Sequence, residues 1–147
     1  MIRSFQMKDL SRVLEIWLNS SIEAHPFLSP SHFLVSYEEF QKDHLLKSQS
    51  TVYELDGEVI GFISIKQTME LSAINIDPKY QNNGFGEKLL DHMKEKFALM
   101  YMTIFTENTK GFDFLVKNGF EVVEKKTDFM TKKQLVTLRY ENNPLQS

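Results

Sequence analysis

The stretch INIDPKYQNNGFGEKLL, Ile74 to Leu90, constrains the fold more than any other part of the chain. The β-rich run ELSAINI that leads into it reads as a strand, and Pro78 stops that strand because proline has no N–H to give to a ladder. On the other side, EKLLDHMKEKF sets Leu89, Leu90, Met93 and Phe97 on one helical face with charges opposite, so a helix starts at the glycines. Gly84 and Gly86 stand at the junction, in a chain that has only 6 glycines. A strand, a glycine loop and an amphipathic helix in that order make either an anion cradle or a plain turn, and QNNGFG alone does not separate the two.

Three phosphate-binding patterns can be compared with it. The nucleotide loop GxxxxGK[ST] has no counterpart in the chain, and the dinucleotide fingerprint GxGxxG would need a third glycine where Leu89 stands. The pattern [QR]xxGx[GA] is matched by Gln81, Gly84 and Gly86 at every specified position. In such a loop the backbone N–H groups from about Asn82 to Gly86 converge as a nest at the positive end of the following helix, which suits a pyrophosphate. Gly84 would take a backbone conformation that side chains disfavour, and Gly86 would let a ligand or the preceding strand approach closely.

The rest of the chain supplies a mixed α/β order. IRSF reads as a first strand, with Asp9 as a cap for an amphipathic helix carrying Leu10, Val13, Leu14, Trp17 and Leu18 and ending near Ser20. AHPFLSP breaks that helix with two prolines, and a second, weaker helix is predicted over Tyr37 to Lys47. TVYELDGEVIGFISI is two β-rich runs joined at Asp56-Gly57, the strongest short-range hairpin signal. After the central helix, LMYMTIFT reads as a buried strand, and KGFDFLVKNGF as a short helix closed by Asn118-Gly119. FEVVEKK and QLVTLRY close the sequence as strands. The expected order is βααβββαβαββ: one α/β domain over residues 1–141, a mixed central sheet flanked by helices, with a frayed tail at 142–147.

Composition narrows the chemistry. At 147 residues, with 41% hydrophobic and 25% charged side chains, the chain matches an ordinary globular domain, one that buries roughly 68–70% of its unfolded surface. There is no cysteine, which removes disulfides, thiolate metal sites and a cysteine nucleophile together. His25, His32, His44 and His92 are scattered without metal-ligand spacing, so no metal is expected. A net charge of −3 speaks against a nucleic-acid partner. No apolar run reaches the roughly 18 residues of a membrane span, and MIRSFQMKDL lacks an apolar leader region, so a cytoplasmic protein with no membrane partner is expected. KKTDFMTKK, Lys125 to Lys133, sets four lysines around an apolar pair, either as a solvated loop or as a patch for an acidic ligand.

INIDPKYQNNGFGEKLL resembles the acetyl-CoA-binding core motif of the GNAT N-acetyltransferase superfamily, and FTENTKGFDFLVKNGF resembles its second core motif. The element order is similar from Ile2 to about Tyr140, and WLNSSIEAHPFLS looks like the corresponding segment of a bacterial subgroup of small acetyltransferases. The resemblance implies acetyl-CoA as co-substrate, its pyrophosphate on the backbone of Gln81, Asn82, Asn83, Gly84, Phe85 and Gly86. It also implies the pantetheine along Ile74, Asn75 and Ile76, whose strand would offer an amide to the thioester oxygen as charge develops there. Asn108 matches the asparagine that hydrogen-bonds the cofactor, though it also suits a turn residue at a strand end.

The implied reaction is attack of an amine on a thioester, acetyl passing directly within a ternary complex. The acceptor is a protein lysine, a peptide N-terminus or a small amine, and the enzyme is a monomer or homodimer. An amine of pKa about 10.4 is less than about 0.1% neutral at pH 7, so a base is needed. Family members often carry a carboxylate where Ser72 stands here; Glu70, two residues earlier on the same strand face, is one candidate base acting through water. His25, in the loop before Pro26, is the other. Many members place a tyrosine acid in FYxxxGF, where this chain reads FLVKNGF with Leu115. Tyr101 and Tyr140 read as packed aromatics, and Trp17 and Phe27 as core or loop anchors. A second reading, an acyl-CoA sensor without turnover, follows from Ser72 and Leu115.

Overall fold

A computed structural model describes residues 1–142, and the C-terminal tail expected to fray lies almost wholly outside them. The elements are β1 (Ile2–Ser4), α1 (Leu10–Ala24), α2 (Pro30–Glu39), β2 (Gln49–Leu55), β3 (Glu58–Ile65), β4 (Leu71–Ile76), α3 (Phe85–Lys96), β5 (Leu99–Phe105), α4 (Thr109–Lys117), β6 (Glu121–Thr127) and β7 (Gln134–Glu141). The order is the βααβββαβαββ read from the sequence. The strands form two antiparallel sheets, one ordered β1-β2-β3-β4 and the other β5-β7-β6.

Local chemistry accounts for most of these elements. The β2–β3 hairpin turns on Asp56 and Gly57, both at positive φ (52° and 81°), the backbone of the tight turn that the DG pair signals. Gly119, at φ 93°, closes α4, with Phe120 N–H donating to the Leu115 carbonyl at 3.0 Å. β3 is buried along nearly its whole length and separates two apolar clusters. Val13, Ile16 and Trp17 of α1 pack with Phe33, Phe40 and Phe62 on one side, the Trp17 and Phe40 rings stacked at 4.3 Å. On the other, Leu89, Leu90 and Met93 of α3 pack with Ile60, Ile63 and Leu115.

Four expectations are corrected. α1 runs on to Ala24 rather than ending near Ser20, because the first proline stands at position 26 and nothing before it breaks the ladder. The second helix starts at Pro30, not Tyr37: Ser29 caps it by accepting from Ser31 N–H at 3.3 Å, and Pro30 takes the first helical position, where proline is favoured. It continues as a π-helical segment over Phe40–Leu45. Asp9 is itself in helical backbone and its side chain does not cap α1; it closes the short helical turn Met7–Asp9 instead, as the acidic member of a capping box with Gln6. Its carboxylate accepts two hydrogen bonds from Arg3 at 2.9 Å and one from Gln6 N–H at 2.9 Å. Finally, β5 is not buried throughout; only Met100 and Ile104 are, since part of the strand lines an open cleft.

Two arginine clusters tie the N-terminal segment to the sheet. Arg3 bridges Asp9 and Glu54 of β2. Arg12 of α1 donates to the Val59 carbonyl at 2.9 Å and to Asp77, at the end of β4, at 2.5 Å. Asp9 is 5% exposed, and Arg3 holds its carboxyl below the ordinary range, against the opposing pull of burial. Because the folded value is lowered, the stabilisation is complete above the unfolded value near 3.8 and is lost as pH falls through the folded value. Asp9→Asn should therefore lower stability at pH 7 by roughly 1–3 kcal/mol, a charge-assisted pair being lost. Urea unfolding from pH 7 to pH 2 checks this: the gap between wild type and variant should close towards pH 2, and a constant gap would contradict it.

Candidate active site

β4 and β5 run parallel and meet at one bridge, Glu70 with Tyr101, where Tyr101 N–H donates to the Met69 carbonyl at 2.9 Å. Beyond that bridge β4 pairs only with β3, and β5 is paired along its length with β7, so the two strands part. A cleft of about 700 Å³ opens between them. The free edge of β4 faces it with backbone groups that no strand satisfies.

The glycine loop forms one end of the cleft. Asp77 ends β4 and caps the turn Pro78–Tyr80, accepting from Lys79 N–H at 3.0 Å. Gln81 Nε2 donates back to the Ile76 carbonyl at 3.0 Å, and Asn83 Nδ2 donates to the Tyr80 and Gln81 carbonyls at 3.2 and 3.1 Å. These two side chains are thus spent in shaping the loop. Asn82 (φ 66°) and Gly84 (φ 81°) take left-handed backbone. Gly84 occupies the N-cap of α3 and offers no side-chain acceptor, so the first N–H groups of the helix have no partner from a cap. Any side chain at position 86 would lie 3.5 Å from the Phe114 ring and 3.8 Å from Ile76, at the cleft wall. An uncapped helix start, positive φ on either side of Asn83 and a glycine where a side chain would narrow the cleft together fit an anionic group lying against backbone. Gln81, Asn82, Gly84, Phe85 and Gly86 line the cleft, whereas Asn83 does not.

The remaining expected contacts are partly there. Ile74, Asn75, Ile76 and Asn108 all line the cleft. The Asn75 side chain is engaged elsewhere, its Nδ2 donating to Ser20 Oγ at 2.8 Å, which leaves its backbone for a ligand. Asn108 Oδ1 caps α4 by accepting from Gly111 N–H at 3.1 Å, so the turn role and the cleft position coincide in one residue. Leu115 is 1% exposed and belongs to the core, leaving an aliphatic side chain where the family pattern has a phenol. Tyr101 stands at the bridge, and Tyr140 packs on Phe120 at 5.7 Å beneath Lys94.

The cleft lining at the end of α1 carries His25. Its Nδ1–H donates to the Ser21 carbonyl at 2.6 Å; a carbonyl only accepts, so the proton sits on Nδ1 and the Nε2 lone pair is free. Phe27, Phe33 and Phe105 surround the ring at 5.1 to 5.6 Å. Burial pushes the imidazole below its ordinary value, outweighing the bond to Ser21, with His32 adding to the lowering. His25 is therefore neutral at pH 7. Glu70 is placed differently: it sits at the bridge, 3.5 Å from Lys66 Nζ, and does not line the main cleft. It lines a smaller cavity of about 280 Å³, together with Ser72, Thr103, Trp17, Phe40 and His44. Trp17, Ser72 and Thr103 border both spaces.

Sequence reasoning missed Ser20, Ser21, Phe33, Thr103 and Phe105 as cleft residues. The two serines fell at the expected end of α1, where they read as a polar terminus. A late helix end is the signal that would have found them, because Ser21 then offers an unpaired last-turn carbonyl four residues before His25.

The acetyltransferase (GNAT) family model matches residues 11–120. The peptidyl-lysine N-acetyltransferase YiaC of Escherichia coli is 28% identical over 124 residues, covering 84% of this chain and 85% of its own. The spermidine N(1)-acetyltransferase of Thermoplasma acidophilum is 29% identical, covering 90% and 96%. Among solved structures, apo YjaB of Escherichia coli superposes with a TM-score of 0.80 at 22% identity over 95% of this chain and 96% of its own. YncA of Salmonella typhimurium, solved with acetyl-CoA, superposes at 0.67 and 19% identity over 97% and 94%. The overall fold is thus shared with these structures, and with the family model spanning most of its length this chain belongs to the GNAT acetyltransferase family, as an N-acetyltransferase with acetyl-CoA as co-substrate.

Proposed function

We propose that the protein transfers an acetyl group directly from acetyl-CoA to a primary amine, with His25 as the base. The observation that carries this reading is the placement of His25, neutral and with Nε2 unpaired, on the cleft lining at the end of α1. The loop amides from Gln81 to Gly86 and the start of α3 take the pyrophosphate, the free edge of β4 at Ile74 to Ile76 takes the pantetheine, and Asn108 closes the end of the cleft. An amide of that edge faces the thioester oxygen, where a fixed donor is strongest against charge that appears only in the transition state.

The amine nitrogen attacks the thioester carbon, forming the C–N bond. Its proton passes to His25 Nε2, the C–S bond breaks, and CoA leaves as a thiolate that solvent protonates. Leu115 supplies no acid, and a thiol of pKa about 8.5 leaves tolerably as its anion. The absence of cysteine rules out an acetyl-cysteine intermediate. Glu70, paired with Lys66 beside the smaller cavity, lies less directly on this path than His25.

Two measurements test the assignment. Gly84→Asp places a carboxylate where the pyrophosphate is expected; no atom lies within 4 Å of the added Cβ, and aspartate tolerates left-handed backbone better than most residues. Calorimetric titration should show acetyl-CoA affinity falling roughly 30- to 150-fold, about 2–3 kcal/mol, in a folded protein. Unchanged affinity would remove the loop from the site. For the base, kcat/KM should rise with pH along a limb whose pKa lies below 6.5, since the neutral form is active and the folded value is lowered. His25→Gln should lose that limb and about 10²–10⁴ in kcat while keeping acetyl-CoA affinity. If Glu70→Gln removes the limb instead, the base is Glu70.

A further inference from the structure

The bond to Ser20 spends one end of the Asn75 carboxamide and leaves the other, Oδ1, with no role in the contacts described so far. Side chains alternate along β4, so its two faces serve different sides of the sheet. Ile74 and Ile76 pack with the cluster beneath α3, whereas Ala73 joins the cluster beneath α1. Asn75 shares the face of Ala73, and its side chain reaches the last turns of α1, where Nδ2 meets Ser20 Oγ at 2.8 Å. His25, just past the end of that helix, rests on the same side, its ring 5.1 Å from Phe33 of the α1 cluster.

Proton count fixes which way the carboxamide points. Ser20 Oγ has one proton, which it gives to the Ile16 carbonyl at 2.6 Å and, more weakly, to the Trp17 carbonyl at 3.4 Å. Carbonyls only accept, so towards Asn75 the hydroxyl can only accept in turn. The amide nitrogen must therefore face Ser20, and Oδ1 must point away from it. Ser20 is 3% exposed, so water hardly competes for its hydroxyl. Oδ1 has no hydrogen bond. No buried side-chain oxygen among the described residues lacks a partner, so Oδ1 is open to the cleft that Asn75 lines.

We propose that Asn75 Oδ1 accepts one N–H of the attacking amine while His25 Nε2 accepts the other, and that the site thereby selects primary over secondary amines. This inference rests on the acetyltransferase reading above, with His25 as its base. A neutral primary amine has two N–H bonds and one lone pair; with both N–H bonds engaged, the lone pair is left one direction, towards the thioester carbon. As that lone pair forms the C–N bond, the proton facing His25 passes to Nε2 and the C–S pair leaves with sulfur. The other N–H stays on nitrogen and becomes the N–H of the product amide. Asn75 holds the amine and exchanges no proton; Ser20, acting through Asn75, is a positioning residue. A secondary amine has a single N–H, and once that goes to His25 an alkyl group lies against Oδ1, which loses its hydrogen bond.

The test uses methylamine and dimethylamine, close in basicity and small enough to enter whatever the natural acceptor is, with a lysine peptide and its Nε-methyllysine counterpart as a second pair. Each kcat/KM is divided by the rate constant of the same amine reacting with acetyl-CoA without enzyme. On that scale the wild type should favour the primary amine of each pair about tenfold, as one hydrogen bond can supply. Asn75→Leu, of similar size, should lose about tenfold on the primary amines and little on the secondary ones, so that the preference disappears. Its acetyl-CoA KM and the pH limb of His25 should stay at their wild-type values. Ser20→Ala lets the carboxamide turn over and should leave a preference of about threefold. Both amines of a pair are read in one protein preparation, so a loosened or partly unfolded site lowers the two together and leaves their ratio alone.

Several results would overturn the proposal. A wild-type preference no greater than that of the uncatalysed reaction would do so. So would equal losses on both amines of a pair in N75L, which would leave Asn75 a packing role only. A raised acetyl-CoA KM in N75L with the preference intact would assign Oδ1 to an N–H of the pantetheine instead. Should N75L not fold, S20A decides: a preference unchanged from wild type would show that the orientation of the carboxamide does not matter. Failure of the wild type to bind acetyl-CoA or to acetylate any of the four amines would defeat the underlying acetyltransferase reading, whereas turnover with no preference to lose would defeat this inference alone.

Discussion

The whole arrangement depends on the parting of β4 and β5. Two parallel strands that met along their full length would close the sheet and leave no edge amides for a ligand. Here each is held away from the other beyond the Glu70–Tyr101 bridge: β5 is paired along its length with β7, and the end of β4 is pinned by Asp77 to Arg12 and by Gln81 to the Ile76 carbonyl. Strand edges are ordinarily a liability, since unpaired N–H and C=O groups invite association. In this protein the inner edge of β4 lies within a cleft, where that same lack of partners becomes binding capacity.

Two ends of the cleft solve different electrostatic problems. At the glycine loop, the backbone supplies positive potential: a helix start with no cap and two left-handed residues separated by Asn83, with the nearby amide side chains folded back onto carbonyls. At the other end, His25 is kept neutral by enclosure among phenylalanines and is oriented by a helix-end carbonyl. The first end suits an anion. The second leaves one lone pair where a proton can be taken.

The departure at Leu115 illustrates how core and site compete for a position. A residue there is buried among Leu89, Leu90 and Ile60 and also borders the cleft. Leucine fills the core without a polar atom to satisfy, and in the proposed reaction the thiolate leaves without a phenol to protonate it. Ser72 is similar: its hydroxyl is shared with Ser48 at 3.0 Å and serves the packing of the π-helical segment's exit against β4.

Much of the fold was written in short-range signals. The Asp56-Gly57 turn, the Asn118-Gly119 helix stop and the strand, glycine loop and helix around Gln81 to Gly86 depend on backbone preferences of a few neighbouring residues, so they were legible one at a time and their order followed. Ser29-Pro30 was equally local and was misread, since a proline that opens a helix looks like one that breaks it until the serine before it is recognised as a cap. What sequence could not carry were relations between distant segments. The alternation in LMYMTIFT does not say that one face of β5 lines an open cleft, and the spacing of Glu70 and Ser72 does not say that a bridge to Tyr101 sets Glu70 beside a different cavity. Nor does a histidine before a proline reveal that Ser21 will fix its tautomer and three phenylalanines its charge. Sequence determined the elements and the loop because those are decided by local dihedral preference and periodicity; tertiary structure decided which side chains share a space, because burial and partnership exist only once strands far apart in the chain are brought together and then held apart.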